Sequence, residues 1–251
     1  MPLAGLRGYS FRQFPILTYH SISDAPGSDV ETVAPHDFER QMAWLKRRGF
    51  EVVRVSDLLV AMTGASSKRR VLSVTFDDGY RDNLVTALPI LRRYGFRATF
   101  YIPTAYIGGL SLWNPIDYIG HRPMLTAREI RSLSRAGQEI GSHAHSHTDL
   151  TLVDSAALDE ELDRSREILS DIIGTAVVAF APPYGRSNEA VVSRVVRLGY
   201  KHLVRGGRFT ANPKDASPFN LCRITIARED SFREFGRKVS GAYQWLTFRD
   251  R

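Results

Sequence analysis

The chain of 251 residues is 43% apolar and 24% charged, with a formal net charge of +7, a balance that suits a globular protein with a sizeable core and excludes a disordered or low-complexity chain. Its single cysteine, Cys222, excludes an intramolecular disulfide and a cysteine-rich zinc cluster, leaving His and carboxylate side chains as metal ligands. Met1 to Phe14 carries no continuous apolar run and no stretch has the length of a bilayer span, so the sequence predicts a cytoplasmic location.

Short apolar runs alternate with helical patterns along the chain. Pro15 to Tyr19 reads as a strand, and Pro35 to Arg48 as a helix. Glu51 to Val53 and Val71 to Phe76 are strand-like, followed by a helical pattern over Asn83 to Tyr94. Ala98 to Ile102 is the next strand, and the long loop behind it holds Trp113, Asn114 and Tyr118. A helix over Thr126 to Ala136 leads to the strand Glu139 to Ser142, and one over Ser155 to Ile173 to Val177 to Ala181. Asn188 to Leu198, Lys201 to Val204, Leu221 to Ile226 and Asp230 to Ala242 continue the order as helix, strand, strand and helix. Several helices end in the Gly that closes them: Gly49, Gly95, Gly137, Gly174 and Gly199. With no repeat and no linker, one domain over 1–251, with a core of about 14–242, is the simplest account. Strand-helix repetition predicts an α/β fold with a parallel sheet, and about eight strands favour a closed (β/α) barrel over an open sheet. In such a barrel the site lies where strands end, which directs attention to polar residues just after apolar runs.

Basic runs occur at Lys46-Arg47-Arg48, Lys68-Arg69-Arg70 and Arg92-Arg93, dispersed in sequence and without interleaved aromatics. They read as solvated helix faces and loop ends; no nucleic-acid partner is expected, whereas the positive balance fits anionic sugar precursors and peripheral contact with an anionic membrane surface.

Two strand ends carry chemistry. Val71 to Val74 runs into Thr75-Phe76-Asp77-Asp78-Gly79-Tyr80, placing two adjacent carboxylates in a turn. They repel unless something cationic holds them, and a metal bound by one while the other stays free as a base is one solution; a solvated, helix-capping Asp pair is the alternative. Glu139 to Gly141 runs into Ser142-His143-Ala144-His145-Ser146-His147. His143 and His147 can converge on one ion while His145 points elsewhere, or the segment is an exposed His-rich loop. One carboxylate and two imidazoles form a facial site with open positions, suited to zinc first and also to cobalt, manganese, nickel or iron. Beside an unligated carboxylate, such a site serves amide or ester hydrolysis.

The Thr-Phe-Asp-Asp-Gly run, the His-x-x-x-His pair and Pro182-Pro183-Tyr184-Gly185 stand in the order found in NodB-type polysaccharide deacetylases (carbohydrate esterase family 4), and the chain resembles that family over nearly its whole length. The resemblance implies a distorted barrel of seven or eight parallel strands, with Asp77 as catalytic base and Asp78, His143 and His147 as metal ligands. It further implies that the Tyr184 backbone N–H holds the oxyanion, with Tyr184 and Pro183 lining the acyl pocket. Two departures stand out. The family places at Ala181 an Arg that orients the base; Arg223, on the neighbouring strand, is the expected replacement and is expected to pair with Asp77, unless it is a surface residue at a strand end. The family's late Leu-x-His is absent, and Tyr19-His20 resembles a rearranged exopolysaccharide deacetylase branch in which an N-terminal Tyr-His supplies the general acid; a structural histidine is the alternative for His20. Trp113 reads first as a loop anchor, with sugar stacking as the alternative. The implied activity is removal of N-acetyl groups from an amino sugar in a polysaccharide or in its cytoplasmic precursor. An amidase acting on a cyclic ureide or imide and a weakly active glycan-binding relative are the alternatives.

Overall fold

The computed structural model describes residues 13–24, 30–64, 70–113, 121–206 and 211–241. At its centre lies the strand Arg70–Phe76, buried from Val71 onward, as a near-continuous apolar run covered on both faces must be. The strand Ile16–Tyr19 pairs in parallel along its second half. On its other side follow, all parallel, Thr99–Ile102, Glu139–Ser142, Ala179–Phe180, His202–Arg205 and Leu221–Cys222. Ile224–Thr225 pairs with Ile16–Tyr19 at the opposite edge. These last two short strands are consecutive in the chain and joined through Arg223 alone, so the two edges of the sheet are halves of one kinked strand that closes the barrel. The sequence run Leu221 to Ile226 thus changes neighbours at its middle. Phe50–Val53 is an additional strand along the first half of Arg70–Phe76, and the barrel of seven or eight parallel strands implied by the sequence is the one formed.

Helices cover the outside: α1 Pro35–Arg47, α2 Val55–Thr63, α3 Leu88–Arg93, α4 Ala127–Arg135, α5 Ser155–Ile173, α6 Glu189–Arg197 and α7 Phe232–Val239. The start of α4 is fixed by a reciprocal capping box between Thr126 and Glu129, and α5 starts on the Asp154 side chain and stops at Gly174, with φ 74°. The single helix expected over Asn83 to Tyr94 is two: Asn83–Ala87 winds as a π-helix ahead of α3. Pro89, with no N–H to offer the Val85 carbonyl, sits just beyond the change of winding. Helix α7 is shorter than the expected Asp230 to Ala242, and Ala242, like Asn114 and Tyr118, lies outside the described residues.

The core packs around rings. Phe76 stacks on Phe100 with centroids 4.8 Å apart, and Tyr19 and Phe38 close around them. Each such pair adds about 0.5–1.5 kcal/mol to what area burial supplies, which holds the Phe76 end of its strand rigid just before Asp77. At the opposite end of the barrel Glu139 is tied to the Ser56 hydroxyl, to Thr99 Oγ1 at 2.7 Å and to the Ser56 N–H at 3.3 Å, with His202 Nε2 at 3.7 Å. These partners draw its carboxyl down to about 2 against the opposing effect of burial.

Candidate active site

Residues from six strand ends meet around one cavity of about 430 Å³: His20, Asp77 and Asp78, His143 and His147, Tyr184, Gly206 and Arg223 among them. Cavities in barrels of this type gather at the C-terminal mouth because there the loops, free of the packing constraints of the strands, carry the polar groups.

Asp78 Oδ1 lies 3.2 Å from His147 Nε2 and 3.5 Å from His143 Nε2, and the three side chains, all buried, bring one donor atom each within 4.8 Å of the others. The ring proton of His143 is assigned to Nδ1, which donates to the Ala181 carbonyl at 2.7 Å, so its Nε2 presents a lone pair to the Asp78 carboxylate. Atoms that converge in this way are held together by a shared proton or by a cation, and two imidazoles with one carboxylate suit a divalent ion of the zinc type. The side-chain electrostatics agree. Burial alone would push the Asp78 carboxyl up, but the hydrogen bonds from His143 and His147 hold it well below the usual range. Burial alone would lower His143, yet Asp77 and Asp78 raise it: this buried site attracts positive charge.

The loop holding the two histidines is strained and clamped. Ala144 and His147 have φ of 61° and 59°, as do Asp78 (70°) and Tyr184 (58°) elsewhere at the mouth, a conformation costly for residues with a side chain and tolerated where the surroundings enforce it. The clamp is visible group by group. Glu161 of α5 accepts from the backbone N–H of His145 and of Ser146, each at 2.8 Å, and from the Ser146 hydroxyl. On the other side the turn Thr104–Tyr106 donates to the carbonyls of Ala144, His145 and Ser146. His145 turns away, its Nδ1 2.8 Å from Thr104 Oγ1.

Asp77 is the second carboxylate. Arg223, 2% exposed, grips it with two bonds of 2.6 Å, Nη1 to Oδ1 and Nη2 to Oδ2, so the contact expected of Arg223 is present. The kink between the two halves of the closing strand is what turns the Arg223 side chain inward. Burial pushes the Asp77 carboxyl up, and the Arg223 guanidinium and His143 more than reverse it, leaving it below its ordinary value. His20 ends its strand at the cavity wall, with Nε2 3.5 Å from Glu31. Its backbone is fixed by Asn83 Nδ2, which donates to the His20 carbonyl at 2.8 Å, and by Asp82, which accepts from Ser21 Oγ and the Ile22 N–H.

Tyr184 stands at the rim, 57% exposed, its ring edge-on to His147 at 5.0 Å, behind buried Pro183. Gly185 beside it has φ 64°, and a Cβ there would lie 2.4 Å from Gly206 Cα, so two loops of the mouth touch backbone to backbone. Trp113 lines the cavity and stacks on the His147 ring at 4.7 Å, with Tyr106 at 4.9 Å; it covers a candidate ligand as well as facing the cavity. Glu31, Tyr80 and Glu161 escaped the sequence reading. Glu31 and Tyr80 join the cavity only through tertiary packing, and Glu161 looks like any solvent-side acid of an amphipathic helix.

A parallel barrel whose mouth brings an Asp-His-His donor set beside an Arg-held carboxylate is a hydrolase-type architecture. The chain belongs to the polysaccharide deacetylase family, whose sequence profile matches residues 64–203. It is 29% identical over 229 residues to YxkH of Bacillus subtilis (strain 168), a protein named after this same family, covering 90% of this chain and 76% of that one. It is 23% identical over 226 residues to a poly-beta-1,6-N-acetyl-D-glucosamine N-deacetylase of Staphylococcus aureus (strain MSSA476), covering 85% and 73%. Among solved structures, the Streptococcus pyogenes deacetylase PplD in complex with acetate superposes with a TM-score of 0.78 at 23% identity, covering 90% of this chain and 98% of that one. IcaB from Ammonifex degensii superposes at 0.73 and 19% identity, covering 92% and 97%. At these identities the structural likeness is one of fold.

Proposed function

We propose that the chain is a divalent-metal-dependent N-deacetylase, a single domain over 1–251 that releases acetate from N-acetylated amino sugars of a polysaccharide or of its cytoplasmic precursor. The observation that carries this is the pairing of Arg223 with Asp77 beside the convergent Asp78, His143 and His147, because it provides the base-orienting arginine that Ala181 does not. Asp78, His143 and His147 would hold the ion, zinc before cobalt, manganese, nickel or iron. When bound it supplies Lewis acidity toward an amide carbonyl and lowers the pKa of water.

The side chains divide the remaining work. Asp77, immobilised through both oxygens by Arg223, keeps a free lone pair on each and takes a proton from the attacking water as that water bonds to the acetyl carbon. The Tyr184 backbone N–H holds the developing oxyanion, and the left-handed conformation at Tyr184 orients that peptide. His20 gives its proton to the nitrogen as the C–N bond breaks, leaving acetate and a free amine. Pro183 and Trp113 shape the pocket around the acetyl group and the sugar.

The test is acetate release from N-acetylglucosamine oligomers across pH. Asp77→Asn abolishes turnover, and His20→Ala lowers kcat by about 10²–10⁴-fold, both with metal affinity kept. A His20→Ala enzyme with native kcat overturns the assignment of the acid. Absence of release from any acetylated sugar, with turnover of a cyclic imide, overturns the substrate class.

A further inference from the structure

Described members of the three basic runs that are scattered in sequence meet on one pole of the barrel. Lys46 and Arg47 end α1 and Arg48 follows; Arg70 opens its strand; Arg92 and Arg93 end α3; Arg97 comes just before Thr99–Ile102. All seven side chains are exposed. Contacts join the runs: Lys46 Nζ donates to the Tyr94 carbonyl at 3.0 Å, Arg70 Nη1 to the Arg48 carbonyl at 3.4 Å, and Lys46 and Arg97 line one groove. Among the described residues of this pole the acids are fewer than the cations: Glu39 pairs with Arg93, Asp57 with Arg54, and Glu51 and Glu139 are the other two. The seven cations stand before a parallel strand or, at Arg70, open one, whereas the cavity residues follow one, so the pole is opposite the mouth, about 20 Å away along Arg70 to Asp77.

The local aromatics select the partner. Trp44, Phe50 and Phe96 lie beneath Arg48, Arg70 and Lys46, at 5.3, 5.8 and 5.6 Å. Phe50 and Phe96 are buried and Trp44 is half-buried. They hold the cations outward and cannot stack on bases, which single-stranded nucleic acid requires. What remains is a blunt array of positive heads with no apolar tip to insert, the complement of an anionic headgroup layer.

We propose that this basic pole docks the protein on an anionic phospholipid surface, with the cavity facing away from the bilayer. The docking stands independently of the deacetylase reading. Where that reading holds as well, the substrate is presented from the aqueous side, as a polymer or soluble precursor, rather than on a lipid carrier.

Flotation of the full chain with phosphatidylcholine vesicles, with and without phosphatidylglycerol, tests this without using turnover. Arg47→Glu/Arg92→Glu reverses two charges of the pole; Arg128→Glu/Arg228→Glu makes the same net change at the exposed start of α4 and in the exposed turn after Ile224–Thr225. Each cation near the surface strengthens partitioning about fivefold, so the pole variant loses at least about 25-fold in binding to anionic vesicles while the second variant stays near native. Native binding is also absent on pure phosphatidylcholine and falls with added salt. Failure of the native protein to float with anionic vesicles, binding insensitive to salt, equal weakening of the two variants, or preference for duplex nucleic acid over vesicles at the same salt would each overturn the proposal.

Discussion

Replacing Arg223 by Met removes the cation from a carboxylate that the fold keeps out of water. Asp77 has a side-chain exposure of 5% and its two oxygens are the acceptors of both 2.6 Å guanidinium bonds. Left behind, it can stay ionised, at the roughly 3–5 kcal/mol that breaking a buried pair from one side costs. Or it can take up a proton, which at pH 7, some three units above an ordinary aspartate pKa of about 3.9, costs about 4 kcal/mol. Both routes lead to a loss of about 4 kcal/mol, or a fall in Tm of about 8–16 °C for a chain of this size. Urea unfolding of metal-free protein measures it. Because the penalty comes from the uncompensated charge and not from the lost contact, Arg223→Met/Asp77→Asn regains most of the stability, although it is inactive. An Arg223→Met protein within about 1 kcal/mol of native, or a double variant no more stable than the single one, refutes the reasoning.

Three further outcomes follow from other parts of the barrel. Glu139, whose carboxyl is held at about 2, contributes stability that is fully present above the unfolded pKa of about 4.3 and is lost as pH falls from there toward 2, about 3 kcal/mol in all. Glu139→Gln therefore flattens the acid limb of the unfolding free energy between pH 5 and 3, and an unchanged slope contradicts the assignment. Glu161→Ala releases the clamp on the His143–His147 loop and weakens zinc binding about 10–100-fold by calorimetry, with the barrel still folded; native affinity would show that the loop holds its own shape. Gly185→Ala places a methyl 2.4 Å from the Gly206 backbone in a left-handed position, so the mouth loops part and acetate release falls by at least tenfold, with a Tm loss of a few degrees; native turnover would mean that this close approach is dispensable.

Much of the barrel is legible in the sequence because buried parallel strands are apolar on both faces, and Val71 to Phe76 is unmistakable for that reason. The Asp77-Asp78 pair and the His143–His147 segment stand out because like charges and ligand side chains crowd where such a strand ends. Helix α2 was missed: Val55–Thr63 follows Phe50–Val53 with no turn residue between and no side-chain cap at Arg54, so periodicity had nothing to mark its start. The break at Arg223 is equally silent, because Leu221 to Ile226 alternates like one strand and changes partners only when the barrel closes. Left-handed backbone at Ala144 and His147 has no sequence signal, since the loop that holds them is clamped by the distant Glu161 and by the turn Thr104–Tyr106. The basic runs show the same limit: separated along the chain, they are brought together only by the parallel order of the strands that follow them.

The central claim is hydrolysis at the Asp77–Asp78–His143–His147 mouth. The most direct test is to strip the protein with a chelator, reload it with zinc or cobalt, and quantify acetate and free amine released from N-acetylglucosamine oligomers. The account predicts negligible release from stripped protein, recovery on reloading to one ion per chain, equal amounts of acetate and amine, and no recovery in Asp78→Ala. Equal release before and after stripping, or full recovery in Asp78→Ala, would contradict it.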